Sequence, residues 1–214
     1  MYDEYFANVS NHSFLEFEST ARIALMRIVS EPALMCNLLK NIVVDTTLAE
    51  KTEFYDFLDK MVVYSNDDIG IYARISYFHE GYSERIHYHR WNYASYILCG
   101  GYTQTLYGTT REHAEIAFID SNDILMREDL SAGNVYALNN SMIHSIKVLP
   151  NTISICIRGK ALCDAFQTKD ISNGSVWWQY GSDLESLEER SMKRIPQFLL
   201  HDKISEICKM IESL

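Results

Sequence analysis

The chain has 214 residues, 47% of them hydrophobic, which suits one domain with a full core, or one domain carrying helical additions. A second catalytic domain does not fit comfortably in this length. Because 19 lysines and arginines face 29 aspartates and glutamates, the formal net charge is -10, and no basic cluster is present. We therefore expect neither nucleic acid nor an anionic membrane as a partner.

The cysteines indicate a reducing compartment. They are odd in number and contain no C-x-x-C pair, a pattern typical of reduced, buried thiols in a cytosolic protein. The five are Cys36, Cys99, Cys156, Cys163 and Cys208. The first residues are acidic and lack an apolar core, and no apolar run is long enough to cross a membrane. We expect a cytoplasmic protein.

The first sixty or so residues show helical spacing. Apolar positions between Phe14 and Ile28 predict one helix, and Glu31-Pro32 predicts the start of a second, since proline is tolerated in a first turn. A third helix is predicted from about Thr47 to Met61. We expect residues 1–66 to form a helical segment that packs on the later part of the chain. None of these predicted helices has the spacing and the basic residues of a DNA-binding helix-turn-helix motif.

From about Ile69 the pattern changes to short strands rich in β-branched and aromatic residues, separated by turn residues. The predicted strands are Ile71–Phe78, Ala94–Cys99, Tyr102–Tyr107, Ala114–Ile119, Asn134–Leu138, Ser145–Leu149 and Thr152–Ile157. Short strands at regular intervals favour a sandwich or a jelly-roll barrel. We assign the barrel to residues 67–165.

Two histidines two positions apart lie within this region. Successive strand side chains point to opposite faces, so His87 and His89 project in one direction and Tyr88 in the other. Imidazole is the commonest protein ligand for borderline divalent metals, and a site that does chemistry usually offers three ligands with positions left open. His144 is the best candidate for the third ligand.

The alternative is that the three histidines are hydrogen-bonded interior residues without a metal. Three polar groups in an apolar cavity are costly without partners, which favours the metal. Of the remaining histidines, His79 is near enough in sequence to substitute as a ligand, whereas His113 lies in a charged turn and is expected to be solvated.

The last segment, from Ser182 to Leu214, is predicted to be helical, with Pro196 dividing it into two pieces. Ile204, Ile207 and Ile211 form an apolar stripe. We describe residues 166–214 as a C-terminal helical extension. This apolar stripe packs either on the barrel or on a second subunit, so the sequence is compatible with a homodimer as well as with a monomer.

The glycine turns around the histidines carry a family resemblance. The two motifs are Gly81-(x)5-His87-x-His89-(x)11-Gly101 and Gly133-(x)10-His144. They resemble the first and second cupin motifs, and within the cupins they are most similar to thiol dioxygenases of the cysteine dioxygenase type, which bind iron through three histidines. The resemblance covers about residues 74–160. It implies a cupin jelly-roll β-barrel. Together with the helices predicted at both ends, we expect a mainly β protein: a cupin jelly-roll β-barrel with an N-terminal helical segment and a C-terminal helix.

The departures from the family matter equally. Most cupins place a glutamate four or five residues after the second histidine, where this chain has Tyr93 and Ala94. Without that carboxylate ligand, the sequence favours a three-histidine site or no metal at all. Thiol dioxygenases carry Ser-x-His-x-Tyr on a late strand, and the corresponding residues here are Ser154, Cys156 and Arg158. The cysteine that cross-links to that tyrosine in the animal enzymes falls on Ala94. Cysteine itself is therefore disfavoured as the substrate.

Two arginines and a tyrosine are further candidate catalytic residues. Arg74 and Arg158, if they face inward, suit the bidentate binding of a substrate carboxylate; the alternative for each is an outward, solvated side chain. Arg158 shares a strand face with Ser154 and Cys156, a set that suits a cavity. Tyr102 is the third candidate. Tyr102, Gln104 and Ser154 are also candidates for hydrogen bonds to the imidazoles.

Three interpretations of function remain open. The first is a non-haem Fe(II) oxygenase acting on a small polar molecule such as a thiol or amino-acid derivative, as the resemblance implies. The second is a lyase, isomerase or hydrolase that uses Zn, Ni or Mn without oxygen. The third is a binding or structural barrel in which the histidines do no chemistry.

Overall fold

The computed structural model describes residues 2–83, 85–113, 115–181 and 184–214. Its helices are α1 (Asp3–Phe6), α2 (Phe14–Val29), α3 (Pro32–Val44), α4 (Thr46–Lys51), α5 (Leu187–Met192) and α6 (Gln197–Glu212). Its strands are β1 (Glu53–Phe54), β2 (Leu58–Asn66), β3 (Ile71–Phe78), β4 (Tyr82–Ser83), β5 (Ile86–His87), β6 (Tyr93–Cys99), β7 (Gly101–Thr109), β8 (Met126–Ser131), β9 (Val135–Leu138), β10 (Met142–Val148), β11 (Thr152–Arg158), β12 (Ala165–Lys169) and β13 (Val176–Tyr180).

The strands form two antiparallel sheets. The first has the order β1-β2-β3-β11-β6-β9 and the second the order β13-β12-β5-β10-β7-β8, with β4 paired to β10. Neighbours far apart in sequence, such as β3 and β11, show that the chain crosses repeatedly between the sheets. The eight strands β3 and β5 to β11 have the interleaved order of two Greek keys, which is the jelly roll. The predicted mainly β jelly-roll barrel is confirmed.

The first sheet has two different faces. Residues at odd positions of β3 and β11 are fully buried against the helices; they are Ile71, Ile75, Ile153, Ile155 and Ile157. Even positions, represented by Phe78 and Cys156, pack with Tyr102, Ile146 and Val148 of the second sheet. Because this second cluster joins both sheets, it marks the barrel interior. The outer face therefore carries the larger apolar core.

The helices that cover this outer face begin at sequence signals. Ser13 caps α2 by accepting a hydrogen bond from the backbone N–H of Glu16, and Pro32 occupies the first turn of α3. Helix α6 begins after Pro196 and packs on α3 through its apolar stripe, which includes Ile204, Ile207 and Ile211. Helices α2, α3 and α6 confirm the helices predicted from these signals at the two ends of the chain. Ser182 and Asp183, at the start of the predicted C-terminal segment, lie outside the described residues.

Two predicted elements are wrong. The third helix ends at Lys51 and not near Met61, because Thr52 bonds back to the carbonyl oxygen of Leu48 and its hydroxyl also accepts from the N–H of Val62 in β2. In place of the strand predicted from Ala114 to Ile119, residues 116–118 form a 3-10 turn that buries Ile116; Ala114 itself lies outside the described residues.

Strands β1, β2, β4, β8, β12 and β13 were not predicted. Strands β12 and β13 form a hairpin that extends the second sheet beyond β5, with Thr168 opposite His87. Beyond the barrel, therefore, the chain adds strands before it returns to helix. The division of the chain at residues 67 and 165 stays a prediction.

No helix within the described part of the chain combines the length and apolar character needed to span a membrane.

Candidate metal centre

Three histidines converge on the inner face of the second sheet. His87 ends β5, His144 lies opposite it on β10, and His89 follows in the loop two residues beyond His87. A bulge in the pairing of β10 with β7 falls between Ile143 and His144. His87 and His144 are only 5% and 1% exposed, and His89 is half-buried. The structure thus brings the three predicted ligands together, with His89 positioned by a loop and not by a strand.

The spacing of their nitrogens suits one ion. One nitrogen from each ring lies within 4.8 Å of the other two, and Nε2 of His89 is 2.9 Å from Nε2 of His144. Since imidazole nitrogens bind such metals at ~2.0–2.1 Å, two ligands at right angles on one ion are about 3 Å apart. The same close pair can also share a hydrogen bond when one nitrogen carries the proton.

The environment keeps the imidazoles of His89 and His144 neutral. Burial is the main cause that lowers the pKa of His89 and of His144 well below the usual value, and the neighbouring His87 adds to it in both cases. Neutral imidazole is the form that binds a metal. The backbone carbonyl oxygen of Arg85 lies 2.9 Å from Nδ1 of His87, a distance at which an Nδ1–H would donate to it and leave Nε2 as the ligand atom.

The donor set fits a divalent metal that accepts nitrogen ligands. Among the described residues, this is the one group of three or more His, Cys, Asp or Glu side chains spaced to hold an ion. The buried Nδ1 of His144 has no hydrogen-bond partner among those residues. A set of three neutral nitrogens leaves the charge of the ion uncompensated and its remaining coordination positions open.

Aromatic side chains enclose the histidines. The ring of Tyr93 meets the ring of His89 edge-on at 4.6 Å between centroids, and its hydroxyl lies 3.5 Å from that of Tyr136. The ring of Trp91 lies 6.3 Å from the ring of His89. Burial raises the pKa of Tyr136 well above the usual value, so its hydroxyl stays protonated. The side chains that contact the histidines here are therefore aromatic and uncharged.

Arg158 lies between two aromatic rings. Its guanidinium carbon is 4.1 Å from the ring centre of Tyr72 and 4.0 Å from that of Trp91, a cation–π sandwich that holds the side chain in place. Burial and the nearby Arg74 lower its pKa to about 10, which leaves the group charged at neutral pH. Arg158 stands at an even position of β11, on the side of the sheet that faces the interior.

Arg74 occupies the same face of the sheet as Arg158. It pairs with Cys156 across β3 and β11, and it is half-buried. After burial and the two other histidines, Arg74 is the next charge that lowers the pKa of His89, which places it within electrostatic range of the cluster. The structure therefore puts both predicted arginines on the inner face.

The remaining candidates lie elsewhere. Tyr102 is buried, and its hydroxyl donates to Oγ of Ser154 at 2.5 Å, within the apolar part of the interior. His79 lies against the carboxylate of Asp59, with Nε2 3.0 Å from Oδ2. His113 is exposed.

Sequence reasoning missed the contributions of two side chains. Tyr136 carries the hydroxyl that faces Tyr93, and no motif singled it out. Strand parity puts Tyr72 on the same face of β3 as Arg74, but the contact of its ring with Arg158 depends on how β3 and β11 pair. The single signal for Tyr136 was its aromatic character after a glycine turn.

This chain is similar to known proteins only in its comparison with solved structures. No family model matches the sequence, and no curated protein matches it. The similar structures include an RmlC-like cupin from Shewanella frigidimarina (TM-score 0.39, 19% identity, covering 51% of this chain and 83% of that one). They also include KdgF from a Halomonas species (0.38, 16%, 50% and 83%) and the DMSP lyase DddQ from Ruegeria pomeroyi (0.40, 14%, 53% and 52%). Scores and identities this low support no inference about activity.

Proposed function

We propose that this protein is a metal-dependent oxygenase of the cupin type, using non-haem Fe(II) and acting on a small polar molecule such as a thiol or amino-acid derivative. The observation that carries the proposal is the cluster of His87, His89 and His144, three buried or half-buried imidazoles gathered without a carboxylate. Three neutral ligands leave Fe(II) with its full charge and with open positions, which suits a substrate and dioxygen together.

The arginines select an acidic substrate in this proposal. Arg74 and Arg158 face the interior with the histidines, and a guanidinium binds a carboxylate through two parallel hydrogen bonds. Arg158 is already fixed between Trp91 and Tyr72, so little side-chain entropy is lost when it binds. The substrate's anionic end would lie at the arginines and its reacting end at the metal ligands.

The aromatic residues exclude water from this space. Tyr93 and Trp91 border His89, and the hydroxyl of Tyr136 stays protonated as a hydrogen-bond donor. Fe(II), when bound, supplies the redox chemistry with dioxygen. Tyr102 lies with Ser154 at hydrogen-bond distance, so we assign it a supporting role within the interior.

The resemblance to thiol dioxygenases supports a thiol substrate, with a reservation about cysteine. The late-strand histidine and tyrosine of those enzymes are replaced by Cys156 and Arg158, and the cross-linking cysteine is replaced by Ala94. Because Arg158 adds a cation where the family has a phenol, the bound molecule is expected to differ from cysteine in the position of its acidic group.

A redox-silent metal is the second candidate. The set of three histidines is one that catalytic zinc also uses, and Ni or Mn bind the same donors, so a lyase, isomerase or hydrolase would use the same residues. A binding barrel without chemistry is the third. For all three, the net charge of -10 favours small molecules over nucleic acid or membrane as partners. The free cysteines favour the cytoplasm.

The test begins with the metal. Protein purified without a histidine tag or chelator is analysed by elemental mass spectrometry, and oxygen consumption is then measured with small thiol acids and amino-acid derivatives. Iron near one per chain, with oxygen uptake on at least one substrate, supports the oxygenase. A bound metal without oxygen uptake across the set would favour the lyase or hydrolase, and a folded chain that takes up no Fe(II), Zn or Ni would favour the binding barrel.

A further inference from the structure

His144 presents two ring nitrogens with different surroundings. Its Nε2 faces Nε2 of His89 at 2.9 Å, inside the cluster. Its Nδ1 is buried, and no hydrogen-bond partner for it exists among the described residues. If Nε2 is a metal ligand, the proton of the neutral ring must sit on Nδ1, which makes Nδ1–H a buried donor in need of an acceptor.

Gln104 carries an acceptor in the same situation. The side chain is 2% exposed, and its Oε1 is buried with no partner in the described part of the chain. Gln104 lies on β7, next to β10, where it pairs with Ile146, while His144 pairs with Leu106. The two residues are thus diagonal neighbours, with Cα atoms roughly 7–8 Å apart, a distance that a long side chain can bridge.

Glu128 determines which end of the carboxamide is free. Nε2 of Gln104 donates to Oε1 of Glu128 at 3.3 Å, across the pairing of β7 with β8. A carboxylate accepts hydrogen bonds and cannot donate them, so it holds the NH2 end and leaves the carbonyl oxygen unoccupied. The chain therefore holds one buried donor position and one buried acceptor on adjacent strands, each without a partner in the described part of the molecule.

We propose that Gln104 is a positioning residue for the metal centre: its Oε1 accepts the Nδ1–H of His144 when Nε2 of His144 binds the metal. Glu128 completes the series by holding the amide of Gln104. This proposal rests on the proposed function only in its assumption that the three histidines bind a metal, and it holds for iron or zinc alike.

The experiment compares metal affinity in matched variants. Gln104→Leu removes the acceptor. Thr103→Val is the control, since it removes one hydrogen bond, to Asp129, from the neighbouring position of the same strand. Titration of metal-stripped protein with Zn(II), and with Fe(II) under anaerobic conditions, should show affinity about 10- to 100-fold weaker in Gln104→Leu and unchanged in Thr103→Val. Equal affinity in Gln104→Leu and the wild type would overturn the proposal.

Two further readouts separate positioning from a general loss of structure. In the Zn(II)-loaded wild type, nitrogen-15 NMR should show His144 with its proton on Nδ1, protected from exchange with water, and Gln104→Leu should lose the protection. The exchanged pair Gln104→Glu with Glu128→Gln keeps an acceptor at 104 and a donor at 128, so it should restore affinity. An Nδ1 that itself binds zinc, or an exchanged pair as weak as Gln104→Leu, would overturn the assignment. If the wild type binds no metal, both this proposal and the proposed function are wrong.

Discussion

The two faces of the first sheet differ in composition although the same strands supply both. On β3 and β11 the outer face presents isoleucines, among them Ile75 and Ile155, which are fully buried against the helices. The inner face of these strands presents Tyr72, Arg74 and Arg158, with Phe78 and Cys156 as its apolar part. Strand parity divides one sheet into an apolar side covered by the helices and a side that carries polar and charged residues.

The difference between the two faces shows which of them contributes more to the stability of the protein. Burying an isoleucine side chain contributes about 1.5–3 kcal/mol, and the outer face collects many such side chains from the sheet and the helices. The barrel interior holds histidines and arginines that contribute less and cost desolvation. Because the helices supply the main apolar core, the interior is free to hold polar groups.

The largest effect is expected at the metal ligands. His144→Ala should abolish metal binding, because two imidazoles are left in place of three, while the outer core keeps the barrel folded. Elemental mass spectrometry measures the metal and circular dichroism the fold. His201→Ala, at a side chain 71% exposed on α6, is the control and should keep the wild-type metal content. Full metal stoichiometry in His144→Ala would contradict the assignment.

The outer face should respond in the opposite way. Ile155→Ala removes a fully buried side chain between sheet and helices, and the free energy of unfolding should fall by about 2–5 kcal/mol. Urea denaturation measures it. The metal content of the protein that remains folded should be unchanged. Loss of metal from folded Ile155→Ala would show that the two faces are coupled.

An intermediate effect is expected at Arg158. Arg158→Met keeps much of the packing between Tyr72 and Trp91 but removes the charge, so binding of small carboxylates such as mercaptoacetate should weaken about 10-fold or more. Isothermal titration calorimetry measures the binding. Arg111→Met, at an exposed arginine, should bind as the wild type does. Unchanged binding in Arg158→Met would place the anion elsewhere.

The smallest effect is expected at Glu53. Burial alone would raise the pKa of Glu53, but the ammonium groups of Lys60 and Lys193, 3.9 and 3.7 Å away, outweigh it and hold the pKa below the usual value. The carboxylate therefore stabilises the fold above the pKa of the unfolded chain, roughly 4.3, and this stabilisation is lost as the pH falls through the folded pKa.

In Glu53→Gln that contribution disappears. The variant should be less stable than the wild type at pH 7 by under about 1 kcal/mol, and the difference should shrink toward pH 3. Urea denaturation at both pH values measures it. A difference that grows as the pH falls would mean that the sign of the effect is wrong.

The sequence predicted the jelly roll and the grouping of the histidines because both depend on local patterns. Turn residues mark strand ends, and the glycine spacing singled out His144, although the strand predicted from Ser145 begins at Met142 and so includes His144 opposite His87. Strand parity explains the pair His87 and His89 only in part, since β5 ends at His87 and a loop delivers His89. Parity also placed Arg158, Ser154 and Cys156 on one face.

The failures occurred where tertiary contacts overrode local pattern. The helix predicted to Met61 stops at Lys51, because β2 pairs with β3 and draws the chain into the sheet. The hairpin of β12 and β13 was missed because its turn, Asp170 to Ser175, follows a short strand without clear alternation. The alternation of side chains along a strand predicts that two residues share a face of the sheet, but it does not predict which face the helices cover. For the same reason, the sequence did not predict the contact of Tyr136 with Tyr93 or that of Gln104 with Glu128.

The packing of α6 on α3 bears on how the chain folds. Cys36 of α3 and Cys208 of α6 contact each other's backbone carbonyl oxygens across 172 positions of sequence. Contacts so distant require a large loop to close, and such closures slow folding. During synthesis, the apolar side of α3 has to wait for a helix made about 150 residues later. Until then, that surface is open to chaperones and to aggregation.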